Sequence, residues 1–140
     1  MTLRLLIAAA VVTVAVILAI VIERRRGRVA TVSGANVPTA VDRNDFRADA
    51  VPWLVVIFTN GDCDSCVIMR ERVTALGRDE VAVYDVDYTR ARAVHERYGI
   101  TAVPTTVLVD EHGDVRASWV GRATADELEA TLVAVGVPPA

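Results

Sequence analysis

The chain has 140 residues, which is enough for one domain and a short extension. All 15 of its basic residues are arginine, and the absence of lysine excludes Schiff-base and other lysine-based chemistry. Residues 1–28 hold five arginines and one glutamate, so residues 29–140 carry 10 basic and 17 acidic residues, a net charge of −7. A part this acidic argues against binding to nucleic acid.

The first predicted element is a transmembrane helix over Leu5 to Ile22, a continuous apolar run whose one polar member is Thr13. Eighteen helical residues rise roughly 27 Å, close to the thickness of a bilayer core. A cleaved signal peptide is the alternative, but its apolar region is typically about 7–15 residues long, and no small-residue cleavage site follows directly. We therefore predict an uncleaved anchor over residues 1–28 and a linker over residues 29–40.

Positive charge at the two ends of this span predicts its orientation. Arg24, Arg25, Arg26 and Arg28 follow the span, whereas only Arg4 precedes it. Because positively charged flanks tend to stay in the cytoplasm, we expect a single-pass membrane protein with a cytoplasmic soluble domain. The alternative is an extracytoplasmic domain, since segments this close to the start are often exported with the chain behind them. The arginine cluster also suits anionic lipid headgroups.

Residues 41–140 predict a single α/β domain. Apolar runs and alternation indicate four strands, and amphipathic spacing indicates three helices between and after them. A short strand or helix near residues 41–48 is also possible. Gly77 is expected to end the first helix as a left-handed cap, and Thr124 with Glu127 forms a capping box for the last one. The predicted strands are 53–58, 81–87, 105–110 and 115–120, and the predicted helices are 63–76, 89–98 and 124–135.

The order of elements is strand, helix, strand, helix, strand, strand, helix. Strands separated by helices indicate parallel pairing, and the final hairpin adds an antiparallel edge. The expected domain is therefore a central mixed sheet flanked by helices.

Several motifs occur in the order seen in one known family. Cys63-Asp64-Ser65-Cys66 follows the first buried strand, and Tyr98-Gly99-Ile100 is followed by Val103-Pro104-Thr105 before the third strand. The turn Asp110-Glu111-His112-Gly113-Asp114 then leads to Val120-Gly121. In these features, over roughly residues 41–135, the chain resembles thioredoxin. The resemblance implies a thioredoxin-like fold and thiol–disulfide exchange. It also implies that Pro104 is cis and packs against the cysteine pair, and that Val103 offers its backbone to an extended substrate.

Cys63 and Cys66 are the only cysteines in the chain. A zinc site needs further ligands, and the two histidines, His95 and His112, fall in a predicted polar helix and a turn, where solvated side chains are the ordinary case. Covalent haem would need histidine at position 67, which is Val67. A structural disulfide would close too small a loop to gain much entropy.

A redox dithiol is the interpretation that we favour. Cys63 falls at a helix N-terminus, where free backbone N–H groups and the helix dipole stabilise a thiolate, the attacking species in disulfide exchange. We expect Cys63 to be the nucleophile and Cys66, one turn into the helix, to be the resolving cysteine. No cofactor and no metal ion are expected.

The site departs from the family pattern Trp-Cys-Gly-Pro-Cys. Asp62 and Asp64 flank the predicted nucleophile, and Ser65 stands where the family has proline. Like charge raises the pKa of a thiol, so we predict a less acidic Cys63 and a comparatively stable disulfide, that is, a reducing couple. The family's buried aspartate and its lysine partner correspond here to Ile57 and Val83, so the usual proton acceptor for the second cysteine is missing.

The sequence thus predicts a membrane-tethered thiol–disulfide oxidoreductase that reduces or exchanges protein disulfides. The alternatives are a non-catalytic thioredoxin-like docking module and a redox sensor. The expected partners are protein disulfides or dithiols, and the membrane through the Leu5–Ile22 span. The sequence carries no indication of the oligomeric state.

Overall fold

The computed structural model describes residues 12–18, 35–48 and 50–139. Residues 12–18 are helical and exposed, whereas the rest of the predicted span, the arginine cluster and residues 29–34 lie outside the described residues. Within the described ranges, no helix combines the length and the apolar character needed to cross a membrane.

The domain contains four strands, three α-helices and one 3₁₀ helix among its described residues, in the predicted order. The possible element near residues 41–48 is the 3₁₀ helix η1, which Asp42 caps by accepting a hydrogen bond from the N–H of Asn44 at 3.0 Å. The elements in chain order are η1 (Arg43–Phe46), β1 (Trp53–Thr59), α1 (Asp64–Thr74), β2 (Val81–Asp87), α2 (Arg92–Arg97), β3 (Thr105–Val109), β4 (Val115–Val120) and α3 (Ala125–Ala134).

Two helix boundaries differ from the predictions. The helix expected over 89–98 begins only at Arg92, because the Asp87 carboxylate accepts the backbone N–H of Thr89 at 2.9 Å and holds a turn there. The prediction of a left-handed cap at Gly77 is wrong: α1 ends with Ala75 in right-handed geometry, and Gly77 is not among the positive-φ glycines. The capping box of Thr124 and Glu127 is confirmed.

The sheet has the strand order β2-β1-β3-β4. β1 and β2 are parallel, with Trp53 opposite Val81. β3 is antiparallel to β1 as well as to β4, so the prediction that helix-separated strands pair in parallel holds for β1 and β2 but is wrong for β3. The sheet is therefore mixed, as expected. Its antiparallel pairing begins between β1 and β3 and is not confined to the final hairpin of β3 and β4.

The direction of β3 decides which residues meet at one end of the sheet. Thr105, the first residue of β3, lies opposite Phe58, near the end of β1. The chain therefore enters β3 at the end where β1 and β2 finish, which brings the residues before Thr105 to the same edge of the sheet as the residues after Thr59.

The core consists of two apolar clusters, one on each face of the sheet. Alternate residues of β1 point to opposite faces. Val55 and Ile57 pack with α1 and α3 on one face, which we call the α1 face. Leu54, Val56 and Phe58 pack with η1 and the α2 region on the other, the α2 face. Burial on both faces accounts for the continuous apolar run of β1.

A glycine in the β3–β4 turn holds the segment that precedes η1. Gly113 has φ +88°, and a Cβ atom built on it would lie 2.5 Å from the carbonyl oxygen of Val41. The N–H of Val41 donates to the carbonyl of Gly113 at 2.8 Å, and the N–H of Val115 donates to the carbonyl of Thr39 at 2.9 Å. Only glycine permits both this backbone conformation and this close approach.

Candidate active site

The two cysteines occupy the turn between β1 and α1. The N–H of Cys63 donates to the carbonyl of Asn60 at 3.2 Å and closes a turn directly after the buried strand. Cys63 is the N-cap of α1 with extended backbone angles, and Cys66 lies in the first turn of the helix. The two residues form a disulfide with Cα atoms 5.2 Å apart. The spacing of three residues thus brings both sulfurs to the amino end of one helix.

The two sulfurs differ in their access to solvent. Cys63 is half-buried, whereas Cys66 has no exposed surface. The backbone N–H of Cys66 donates to the Sγ of Cys63 at 3.2 Å as well as to the carbonyl of Cys63 at 3.0 Å, so one N–H of the helix end already points at this sulfur. A thiolate formed at Cys63 would be stabilised by that donor and by the helix dipole.

The flanking residues line the rim of the pair. Asp62 and Asp64 are exposed and Ser65 is half-buried. Val67, the residue after Cys66, is 50 % exposed, which leaves an apolar side chain on the surface beside the disulfide. Asp64 belongs to the first turn of α1, where a negative charge favours the helix.

The Val103–Pro104 peptide bond is cis, as the resemblance implied. Pro104 is buried and Val103 is half-buried. The carbonyl of Pro104 accepts the N–H of Gly121 at 2.8 Å, and the hydroxyl of Thr105 donates to the carbonyl of Ala102 at 2.8 Å. Since Thr105 lies opposite Phe58 of β1, this loop lies at the same end of the sheet as the turn that follows β1 and contains the cysteines.

A cavity of about 170 Å³ lies next to this loop. His95 is one of its walls and is 2 % exposed, so the expectation of a solvated surface histidine is wrong. Its Nε2 lies 2.8 Å from the carbonyl oxygen of Val86, and its ring meets the rings of Phe58 and Tyr88 edge-on. The signal was present in the sequence, because His95 shares a helical stripe with Ala91 and Tyr98. The cavity is lined by Asn60, Tyr88, His95, Ile100, Thr101, Ala102 and Val103.

No carboxylate–lysine pair lies beneath the cysteines. Ile57 is 1 % exposed within the apolar cluster of the α1 face, and Val83 packs against the same cluster. Beside them is a different ion pair that sequence reasoning missed. Nε of Arg70, on α1, lies 2.6 Å from Oδ2 of Asp85, whose other oxygen accepts the hydroxyl of Thr59 at 2.7 Å.

Among the residues that the structure describes, no group of three or more histidine, cysteine, aspartate and glutamate side chains could hold a metal ion. His112 lies in the β3–β4 turn and its side chain is 76 % exposed.

The fold and the site together define a thioredoxin-like domain. The profile of the thioredoxin-like domain family matches residues 39–136, and the chain belongs to this family.

Two solved structures illustrate the similarity. The chain is similar to the thioredoxin of Malassezia sympodialis (Mala s 13), with 22 % identity over 75 % of this chain and 95 % of that one and a TM-score of 0.52. It is also similar to Fasciola hepatica thioredoxin, with 25 % identity over 65 % of this chain and 88 % of that one and a TM-score of 0.54. No curated protein matches the chain.

Proposed function

We propose that this protein is a membrane-tethered thiol–disulfide oxidoreductase that reduces or exchanges protein disulfides. The observation that carries the proposal is the unequal exposure of two bonded sulfurs at one helix end. Cys63 is accessible and accepts a backbone N–H at 3.2 Å, while Cys66 is fully buried one turn into the helix. A nucleophile must reach its substrate, whereas a resolving thiol needs only to reach the nucleophile.

The reaction starts from the dithiol form. The Cys63 thiolate attacks one sulfur of a substrate disulfide, a Cys63–substrate disulfide forms, and the other substrate sulfur leaves as a thiolate that takes up a proton. Cys66 then loses its proton and attacks the Sγ of Cys63. The Cys63–Cys66 disulfide forms and the second substrate sulfur is released. Two electrons have passed from the dithiol to the substrate.

The substrate approaches over the cis-proline loop in this proposal. An extended substrate segment would pair with the backbone of Val103, while Pro104 packs behind the sulfurs. The exposed side chain of Val67 offers an apolar contact on the other side of the pair. The rest of the rim consists of Asp62, Asp64 and Ser65. The two carboxylates bias the couple toward reduction of its substrates, because they disfavour the thiolate but not the neutral disulfide.

The tether and the cytoplasmic placement of the domain stay proposals drawn from the sequence. They rest on the apolar run Leu5–Ile22 and on the arginines that follow it. A membrane-impermeant maleimide applied to intact cells after mild reduction tests the placement. We expect no labelling of Cys63 until the cells are lysed, and labelling in intact cells would place the domain outside.

Reduction of insulin by the full chain in non-ionic detergent, with dithiothreitol as electron donor, tests the activity. We expect the wild-type chain to accelerate insulin precipitation above the dithiothreitol background and Cys63→Ser to lose that acceleration. Wild-type protein that gives only the background rate would contradict the proposal.

A docking or redox-sensing module is the second candidate, and the apolar residues Ile57 and Val83 favour it. With an apolar side chain at Ile57, the resolving step lacks the buried carboxylate that the resemblance implies at that position. A sensor would oxidise and reduce reversibly with small thiols yet leave insulin untouched, which separates it from the oxidoreductase in the same assay.

A further inference from the structure

One buried hydroxyl in the sheet has no hydrogen-bond partner within the part of the chain that the structure describes. Thr106 is completely buried, and its Oγ1 neither donates nor accepts a hydrogen bond among the described residues. A buried polar atom without a partner destabilises the form of the protein that contains it, because the hydroxyl has given up water and gained nothing. A buried polar atom of this kind calls for a physical explanation.

The position of Thr106 relates this hydroxyl to the cysteines. Thr106 lies directly opposite Ile57 in the β1–β3 pairing, and Ile57 is the position at which the usual buried carboxylate is missing. Because side chains alternate along β3, Thr106 faces the same side as Leu108, which packs in the cluster of the α1 face. The hydroxyl therefore points to the face of the sheet that α1 covers.

The helix has three buried residues, and only one of them has a side chain that can both donate and accept a hydrogen bond. These residues are Cys66, Met69 and Val73. Val73 has no polar atom, and the Sδ of Met69 already accepts the N–H of Ala123 at 3.2 Å. Cys66 lies nearest the amino end of α1, and that end covers the edge of the sheet where β1 finishes and β3 begins.

We infer that the Thr106 hydroxyl is the hydrogen-bond partner of Cys66 in the dithiol form and so tunes the redox equilibrium of the pair. The role rests on the proposed function, but the equilibrium itself exists without any protein substrate. In the disulfide form the Cys66 sulfur has no proton to donate, and Thr106 Oγ1 has no hydrogen-bond partner among the described residues.

Reduction supplies the missing partner. When a dithiol such as dithiothreitol reduces the pair, the Cys63–Cys66 bond breaks and the dithiol forms its own disulfide. The two protons that the dithiol loses balance the two that the cysteine sulfurs gain. The Cys66 thiol then donates to Thr106 Oγ1, or its thiolate accepts from the hydroxyl. Thr106 thus destabilises the disulfide form and stabilises the dithiol form, and both effects favour reduction of the pair.

Equilibration of the full chain with mixtures of reduced and oxidised dithiothreitol tests the inference. The fraction of dithiol is read from the mass added by a maleimide. We expect Thr106→Val to lower the equilibrium constant for reduction of the pair about three- to tenfold, the range of one hydrogen bond, with tenfold equal to about 30 mV. Thr106→Ser, which keeps the hydroxyl, should stay close to the wild type.

Thr131→Val is the matched control, since it removes another buried threonine hydroxyl, on α3, whose bond to the carbonyl of Glu127 is 2.8 Å long. It should leave the equilibrium constant unchanged. Should Thr106→Val fail to fold, Thr106→Ala removes the same hydroxyl. An equilibrium constant unchanged in the hydroxyl-free variant, or lowered equally in Thr106→Ser or Thr131→Val, would overturn the inference. Because insulin plays no part, this failure is distinct from a failure of the oxidoreductase assay.

Discussion

The two carboxylates beside Cys63 compete with its thiolate for the same stabilising groups. Asp64 is in the first turn of α1, where the unpaired N–H groups and the dipole favour one negative charge. A thiolate at Cys63 would place a second negative charge at the same helix end, whereas the disulfide places none. The residue types flanking the pair therefore favour the oxidised form of this protein and make its dithiol a strong reductant.

Replacing both carboxylates tests this electrostatic argument. In the double variant Asp62→Asn, Asp64→Asn, we expect the pKa of the Cys63 thiol to fall by a fraction of a pH unit, since both side chains are exposed and solvent screens them. The pH dependence of the alkylation rate of the reduced protein measures it. The control Asp79→Asn changes an exposed charge in the loop between α1 and β2 and should have no effect. A thiol pKa that is unchanged or higher in the double variant would contradict the argument.

Tyr98 links α2 to η1 and gives a prediction at high pH. Burial, together with donation of its hydroxyl to the carboxylate of Asp45, raises the pKa of Tyr98 to about 12. Its ordinary value near 10 applies in the unfolded chain, so the stability that it contributes is fully present below pH 10 and is lost as the pH rises toward 12.

Tyr98→Phe should lower the free energy of unfolding by about 1 kcal/mol at pH 8. The difference from the wild type should shrink between pH 10 and 12, which denaturant titrations at several pH values would measure. In an absorbance titration, the step near pH 12 should disappear in Tyr98→Phe and persist in Tyr84→Phe. A difference in stability that stays constant up to pH 12 would show that ionisation of the Tyr98 hydroxyl does not affect the free energy of unfolding.

Some residues of the site could be predicted and others could not, for a physical reason. Cys63, Cys66 and Pro104 stand in motifs whose local chemistry identifies them. Arg70 becomes significant only through a distant partner, since it pairs with Asp85 across 15 positions. Its charge predicts exposure, and the tertiary contact overrides that preference. His95 is different, because its helical spacing to Ala91 and Tyr98 indicated burial although its polarity indicated exposure.

At the scale of the elements, apolar patterns predicted every strand but not the direction of β3. A strand buried on both faces has the same composition whether its neighbours run parallel or antiparallel. The length of the connection, residues 88–104, does not decide the direction either, because a parallel return needs only about a dozen residues. The consequence is functional, since this direction places the cis-proline loop beside the turn that carries the cysteines.

The β3–β4 turn gives a prediction about the stability of the sheet. Gly113→Ala should lower the free energy of unfolding by about 2 kcal/mol or more, because an alanine at φ +88° is strained and its Cβ would meet the Val41 carbonyl at 2.5 Å. The matched control is Gly136→Ala, at φ +97° with nothing within 4 Å, which should cost only the conformational strain, about 1 kcal/mol. Denaturant unfolding measures both, and an equal loss in the two variants would contradict the close approach to Val41.

At the scale of the whole molecule, an apolar, arginine-flanked amino terminus precedes an acidic thioredoxin-like domain. The two parts have opposite charge, since residues 1–28 carry a surplus of arginine and residues 29–140 a net charge of −7. A domain of this charge repels anionic headgroups, whereas the proposed anchor would hold it near them.

The central claim is that Cys63 attacks a substrate disulfide and Cys66 releases it. The most direct measurement is the mass of the covalent species formed when reduced Cys66→Ser full chain meets insulin. The account predicts one insulin chain joined through Cys63, released by dithiothreitol, and no adduct with Cys63→Ser, whose remaining thiol is buried. Absence of the adduct in Cys66→Ser, or an equal adduct through Cys66 in Cys63→Ser, would contradict the account.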